Sequence, residues 1–198
     1  MNIEGFFKAI DNHWVQPAPG KIRLGVIGSA ALLLQTDYDR GTKDSDILEA
    51  LDLTSGIKRG LLELAGQGSD IHKRHRLYLD FVPSGLPFLP QAPVFHFLHA
   101  LNATLRHFQV EALDVVDVIV SKLKRFNAND VGDIQAMVKR DLVGHEALIS
   151  RFKSAVDAFS IDARAEELPL QVRNLHTVER DMLGVAESKI ELPDWLDR

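Results

Sequence analysis

A short apolar run that stops at a glycine constrains the fold of this chain more than any other feature. Residues 22 to 27 (IRLGVI) are typical of a largely buried strand, and Gly28-Ser29 separates them from a run of helix formers, Ala30 to Gln35. A strand that turns directly into a helix is typical of layered α/β proteins. The sequence therefore predicts a sheet covered by helices in the first part of the chain.

The neighbouring segments follow the same two periodicities. Further helices are expected over residues 2–13, ended by Pro17 and Pro19, and over 54–65, capped by Thr54 or Ser55; further strands are expected over 44–48 and 76–82. Four prolines fall between residues 83 and 93, so this stretch is expected to be a loop or a sheet edge.

After about residue 112 the apolar spacing becomes helical, as in DVVDVIVSKLKRF (114–126). Helices are expected over roughly 115–123, 129–139, 144–159 and 163–183, and the tail is expected either to pack through Trp195 or to fray. The predicted fold class is α+β. A mixed β-sheet flanked by helices (residues 1–110) is followed by a C-terminal helical bundle (residues 111–198) that closes the cleft.

Composition excludes several classes of protein. The 198 residues include no cysteine, which rules out disulfides and thiolate zinc sites. The net charge of -5 argues against a protein that coats DNA non-specifically, although a local basic groove stays compatible with it. The start MNIEGFFKAIDNHW lacks the order of a signal peptide, and no apolar run reaches membrane-spanning length, so we expect a cytoplasmic protein without a membrane partner.

Asp44 and Asp46 stand one residue apart directly before Ile47-Leu48. In a strand their side chains share one face about 6 to 7 Å apart, where like charges repel. A hard divalent cation such as Mg²⁺ reverses this cost because it binds carboxylate oxygens. The competing interpretation is two surface acids at the start of a strand. Another acidic pair, Asp37 and Asp39, lies nearer to the glycine but lacks the apolar continuation.

Three neighbours favour a site over two plain surface acids. The first is Gly28-Ser29, where a helix N-terminus attracts phosphate and Ser29 could cap the helix, although an ordinary tight turn has the same residues. The second is Asp80, an acid between apolar residues in RLYLDFV, which either holds a metal or is a buried hydrogen-bonded acid. The third is Arg40-Gly-Thr42, which could support the acids or form a plain loop.

Together these residues resemble the nucleotidyltransferase superfamily of DNA-polymerase-beta type, most closely its minimal, abortive-infection-toxin-like bacterial branch. The likeness rests on Ile27-Gly28-Ser29, the stretch RGTKDSDIL (40–48) and a third Asp on a later strand. Two departures stand out: Ser45 replaces a usual hydrophobe, and the spacer of fourteen residues (30 to 43) is slightly long.

The resemblance also covers DVIVSKLKRFNANDVGDI (117–134). It implies that Lys122 and Arg125 bind a triphosphate from the helical region, with Asp130 and Asp133 in support. The alternative is structural: Asn129 caps a helix, both acids complement its dipole, and Arg125 pairs with one of them.

The resemblance implies a site and an activity. Asp44, Asp46 and Asp80 would be the catalytic and metal-binding residues, with Mg²⁺ or Mn²⁺ as cofactor; the nucleotide ligands would be Gly28, Ser29, Arg40, Thr42, Lys122 and Arg125. The expected partners are a nucleoside triphosphate (NTP), a tRNA or protein acceptor and an antitoxin protein, because the branch contains toxins of toxin–antitoxin systems. Two alternatives stay open: transfer to a small molecule, and a non-catalytic binding or regulatory protein with the same fold.

Two histidine pairs and one basic run are further candidates for binding sites. The pairs His72/His75 and His96/His99 have zinc-ligand spacing but no obvious third ligand, so zinc is a minor alternative. The run KRHR (73–76) is either a solvated turn or a contact to an RNA acceptor.

Overall fold

The computed structural model describes residues 2–15, 20–50, 53–160 and 163–192. The predictions about Pro17, Pro19 and Trp195 lie outside these residues. The chain divides into two compact units, which we describe separately. Unit 1 comprises residues 1–86 and 95–113, and unit 2 comprises residues 87–94 and 114–198.

Unit 1 contains a five-stranded mixed sheet with the strand order β3-β2-β1-β5-β4. The strands are β1 (Ile22–Val26), β2 (Asp44–Leu48), β3 (Tyr78–Val82), β4 (Phe95–Phe97) and β5 (Phe108–Leu113). The pairs β2/β3 and β1/β5 are parallel, whereas β1/β2 and β4/β5 are antiparallel. This sheet, with the helices of both units, confirms the predicted α+β class.

The described residues of unit 1 form five helices: α1 (Ile3–His13), α2 (Gly28–Gln35), α3 (Ser55–Ala65), α4 (Asp70–His75) and α5 (His99–Asn102). Thr54, one of the two predicted caps, caps α3 by accepting a hydrogen bond from the N–H of Ile57. The fully buried side chains come from the helices and from one face of the sheet; they include Phe6, Phe7, Ile10, Leu24, Leu32, Ile47, Leu61, Leu79 and Phe108.

A buried carboxylate fixes α1 to the start of β5. Asp11 is 2% exposed, and its oxygens accept backbone N–H groups of Arg106, His107 and Phe108 at 2.7–3.2 Å. Three satisfied donors compensate for burying the charge. This contact holds the start of β5, an interior strand of the sheet, against the helix α1.

Unit 2 is helical in its described part. It contains α6 (Val115–Lys122), α7 (Ala128–Lys139), α8 (His145–Phe159), a 3₁₀ segment (Ala163–Glu167), α9 (Leu168–Thr177) and a π-helical segment (Val178–Leu183). The single helix predicted over 163–183 is therefore three consecutive helical segments. None of the helices formed by the described residues combines the length and apolar composition that crossing a membrane requires.

Two local predictions were wrong. Asn129 does not cap α7, because the helix begins earlier and Asn127 accepts the N–H groups of Asn129 and Asp130. Ser29 does not cap α2 either, since the helix begins at Gly28 and the capping position falls on Ile27, which makes no side-chain cap bond there.

Candidate functional site

Asp44, Asp46 and Asp80 share one face of the sheet, which we call the carboxylate face. Asp46 on β2 lies directly opposite Asp80 on the parallel strand β3. Asp44 is two residues before Asp46 on β2 and therefore points to the same side. The family resemblance implies that these three acids belong to one site, and the strand register places them on one face of the sheet.

Alternation along β2 explains why its acids face outward. Ser45 and Ile47 are fully buried, whereas Asp44, Asp46 and Leu48 are half-buried. Ser45 thus occupies a core position on the opposite face of the strand, and its Oγ has no hydrogen-bond partner among the described residues. The departure from the family pattern at Ser45 consequently changes the core and leaves the carboxylate face unaltered.

The turn at Gly28 lies beside Asp46. The N–H of Ile27 donates to the backbone carbonyl of Asp46 at 2.9 Å. Gly28 has φ +65°, in the left-handed region, and a Cβ there would lie 3.6 Å from Asp46 Oδ2. Glycine at this position therefore both adopts the turn without strain and leaves a side-chain-free surface next to a carboxylate.

The loop before β2 supports the site from the other direction. Thr42 is buried, and its hydroxyl donates to Asp44 Oδ1 at 3.0 Å. The guanidinium of Arg40 donates to Ser29 Oγ at 3.3 Å, which links this loop to the start of α2. The predicted ligands Gly28, Ser29, Arg40 and Thr42 are thus brought together with the acids of β2.

Asp80 is exposed, so the alternative of a buried structural acid is wrong for this position. One oxygen of Asp80 accepts the N–H of Phe81 at 2.8 Å. The carboxylate therefore remains at the surface of the sheet.

Tyr78 is a residue of this face that sequence reasoning missed. It lies directly opposite Asp44 and, two residues before Asp80, points to the same side. The pKa of the Tyr78 hydroxyl is raised above its ordinary value. Partial burial is the largest cause, and the negative charges of the carboxylate face add to it. The signal that could have found Tyr78 is its i, i+2 spacing from Asp80.

The side-chain oxygens of Asp44, Asp46 and Asp80 suit a hard cation, because they are carboxylate oxygens. However, no group of three or more His, Asp or Glu side chains is arranged to hold a metal ion among the residues that the structure describes. Mg²⁺ is commonly held by one or two carboxylates together with substrate phosphates and water.

The four remaining candidate residues form an ion-pair cluster in unit 2. The ammonium of Lys122 lies 3.0 Å from Asp130 and 2.8 Å from Asp133, and all three side chains are almost fully buried. Arg125 is 74% exposed and lies 3.5 Å from Asp130. This arrangement agrees with the structural alternative, in which Arg125 pairs with an acid of α7. The role of Lys122 and Arg125 as triphosphate ligands stays a prediction.

The model of a protein family matches most of the chain. Residues 6–181 match the model of a family described as nucleotidyltransferases of unknown function (DUF6036). The match spans both the carboxylate face and the ion-pair cluster. Neither the curated proteins nor the solved structures contain a match to the chain.

Proposed function

The chain belongs to the DUF6036 family of nucleotidyltransferases, and we propose that it moves a nucleoside monophosphate from an NTP to a hydroxyl acceptor. The observation that carries the proposal is the alignment of Asp46 with Asp80, on one face with Asp44 and beside the turn at Gly28. Such a face places acidic groups next to a backbone surface that a phosphate can approach closely.

In this proposal the turn and its neighbours bind the triphosphate. Gly28 lets the phosphates approach the backbone, and the hydroxyl of Ser29 and the guanidinium of Arg40 are donors to phosphate oxygens. Thr42 orients Asp44 through the hydrogen bond to its carboxylate.

The reaction is an in-line displacement at the α-phosphorus. The acceptor oxygen forms a bond to that phosphorus, the bond to the bridging oxygen of the β-phosphate breaks, and pyrophosphate leaves. Asp80 takes the proton of the acceptor hydroxyl, and Asp44 and Asp46 are the residues that would hold a catalytic cation. When bound, Mg²⁺ or Mn²⁺ supplies charge neutralisation of the phosphates and a lower pKa of the acceptor hydroxyl.

Radiolabelled NTPs test this function. Wild-type protein with Mg²⁺, total tRNA, a mixture of proteins and a small hydroxyl compound should label one acceptor class. The double variant Asp44→Asn/Asp46→Asn should lose transfer while keeping its circular dichroism spectrum and melting temperature. The matched control Asp37→Asn, an exposed acid of the neighbouring loop, should transfer at the wild-type rate. Wild-type turnover in the double variant would overturn the proposal.

From the resemblance we also propose that the protein is the toxin of a toxin–antitoxin pair acting in the cytoplasm, where NTPs are available. Induced expression should then arrest growth, and the double variant should not. A genetic neighbour that restores growth would be the antitoxin partner. Growth that continues at full rate despite active transferase in the cells would contradict this role.

A further inference from the structure

Parallel pairing brings two basic segments of unit 1 to the same end of the sheet. Because β2 and β3 are parallel and start with Asp44 opposite Tyr78, the residues before each strand enter side by side. Lys43 precedes β2, and its carbonyl accepts the N–H of Tyr78 at 3.1 Å. Lys73, Arg74 and Arg76 precede β3 at the end of α4. We call these four residues the basic edge.

The cations of the basic edge are directed to solvent. Lys43, Arg74 and Arg76 are exposed, and none of these three forms an ion pair with an acidic residue in the described part of the chain. Lys73 has one exposed partner, Asp70, at 3.3 Å, which is a weak interaction in water. A positive surface of this kind in a chain of net charge -5 is a local exception that attracts a polyanion.

An aromatic pair connects the basic edge to the carboxylate face. The ring of His72 on α4 lies edge-on to the ring of Tyr78, with the centroids 5.3 Å apart. Tyr78 is half-buried, and no hydrogen bond joins its hydroxyl to another described residue. Cations that bind a phosphodiester backbone next to a ring on which a base can stack are typical of single-stranded nucleic-acid sites.

The position of the basic edge assigns it to the acceptor rather than to the NTP. In the strand order β3-β2-β1, the turn at Gly28 lies on the β1 side of the acids, and Tyr78 with the basic edge lies on the β3 side. The triphosphate takes the first side in the proposed function. The second side is left for the group that carries the attacking hydroxyl, next to Asp80.

We propose that the acceptor is the hydroxyl-bearing end of a single-stranded nucleic acid, held by the basic edge through its phosphates and by Tyr78 through its terminal base. This inference rests on the proposed function for the identity of the reaction but not for the binding itself. The competing outcome is a protein acceptor. Such an acceptor would not require the exposed cations of the basic edge.

Direct binding without any NTP tests the inference separately from catalysis. The ligands are a fluorescent single-stranded RNA with a free 3′-hydroxyl, a DNA of the same sequence and polyglutamate, all measured by anisotropy in EDTA over a range of salt. The test variant is Lys43→Gln/Arg74→Gln/Arg76→Asn. Asparagine is chosen at 76 because Arg76 has φ 55°, a left-handed conformation that asparagine tolerates. The control is Arg59→Gln/Lys139→Gln/Lys153→Gln, which removes the same charge from exposed positions elsewhere.

The wild type should bind nucleic acid more tightly than polyglutamate. The test variant should lose about tenfold in affinity, and its salt slope should fall by about 2 units because three phosphate contacts are removed. The control should match the wild type. Tyr78→Ala should weaken binding while Tyr78→Phe retains it, since stacking needs the ring and not the hydroxyl. The RNA and DNA arms identify which nucleic acid is the ligand.

Three results would overturn the inference. They are equal binding of polyglutamate, wild-type affinity in the test variant, and an equal loss in the control. If the wild type transfers nucleotide to a protein acceptor and binds no nucleic acid, the proposed function stands and the binding role of the basic edge is refuted. A protein that binds nucleic acid through the basic edge but transfers no nucleotide would refute the function and retain the binding surface.

Discussion

Asp46 and Asp80 lie directly opposite each other on the parallel strands β2 and β3. Like charges at opposite positions of a sheet destabilise the pair, and Asp44 adds a third negative charge to the same face. A surface selected for stability alone would carry opposite charges or neutral residues here. The arrangement is instead typical of a functional face whose charge is compensated by a ligand.

Asp80→Asn should therefore separate stability from activity. The amide removes one of two opposed charges and can still accept the N–H of Phe81, so the free energy of unfolding should rise by a few tenths of a kcal/mol. Nucleotide transfer should fall by about a hundredfold or more, because the proton acceptor is lost. Urea unfolding and labelled-NTP assays measure the two effects. A simultaneous loss of stability and activity would indicate a structural role for Asp80 instead.

Gly28→Ala should be costly because of backbone conformation rather than crowding. The position has φ +65°, and the added Cβ would lie at ordinary contact distance from Asp46 Oδ2. We expect a loss of about 1 kcal/mol in the free energy of unfolding and weaker NTP binding. Gly41→Ala is the matched control, since a Cβ there meets no atom within 4 Å and φ lies outside the left-handed region. Equal effects of both substitutions would refute a special role for Gly28.

Metal binding should depend on the nucleotide. Because no described group of three acidic or histidine side chains is arranged to hold an ion, calorimetry with Mg²⁺ alone should give little heat. Mg²⁺ together with a non-hydrolysable NTP should bind, and Asp46→Asn should weaken that binding. Nucleotide binding of equal strength in EDTA would contradict the proposed site.

Asp11→Ala tests the contact between α1 and β5. The substitution leaves the N–H groups of Arg106, His107 and Phe108 without their carboxylate acceptor, so we expect a loss of about 3 kcal/mol in the free energy of unfolding. Asn12→Ala, at the exposed neighbouring position, should change it by less than about 0.5 kcal/mol. Urea denaturation measures both. Similar small losses in the two variants would show that Asp11 is dispensable.

Glu179 should make unit 2 sensitive to acid. Burial raises its pKa, but hydrogen bonds from Ser188 and His145 outweigh this effect and lower the pKa below the ordinary value of 4.5. Its contribution to stability is therefore complete above pH 4.5 and is lost as pH falls through the lowered folded-state pKa.

Urea midpoints at pH 7 and pH 3 measure this dependence. The wild type should lose more stability on acidification than Glu179→Gln, and the exposed Glu166→Gln should behave like the wild type. The same pH dependence in all three proteins would contradict the role assigned to Glu179.

Much of unit 1 could be predicted because its elements carry strong local signals. The limits of β2 follow from the alternation of Asp44 to Leu48, and α3 begins where Thr54 can cap it. Two strands were missed. β5 has only six residues, and its alternation of buried and half-buried positions ends with two buried residues in a row. β4 has three residues after a proline-rich loop. Short strands of this kind are stabilised by pairing with distant segments, which periodicity does not report.

The candidate site could likewise be predicted only in part. The spacing of Asp44 and Asp46 placed them on one face, because side chains alternate in any strand. The spacing from Asp80 indicates the face of Tyr78, and the run KRHR (73–76) is visible in the sequence as a basic motif. Their position beside Asp44 could not be predicted, since it depends on β2 and β3 being parallel neighbours in one particular register. Similarly, the resemblance implied a triphosphate role for Lys122, which stays a prediction. The burial of Lys122 between Asp130 and Asp133 is visible only in the fold.

By itself, the sequence determined the order of most elements, the strand–turn–helix at Gly28 and the common face of Asp44 and Asp46, because each depends on residues close together in the chain. Tertiary structure alone decided that Asp80 meets Asp46 and that the residues before β2 and β3 form one positive edge. Strand pairing sets these relationships, and it is governed by the burial of the whole sheet rather than by any local pattern.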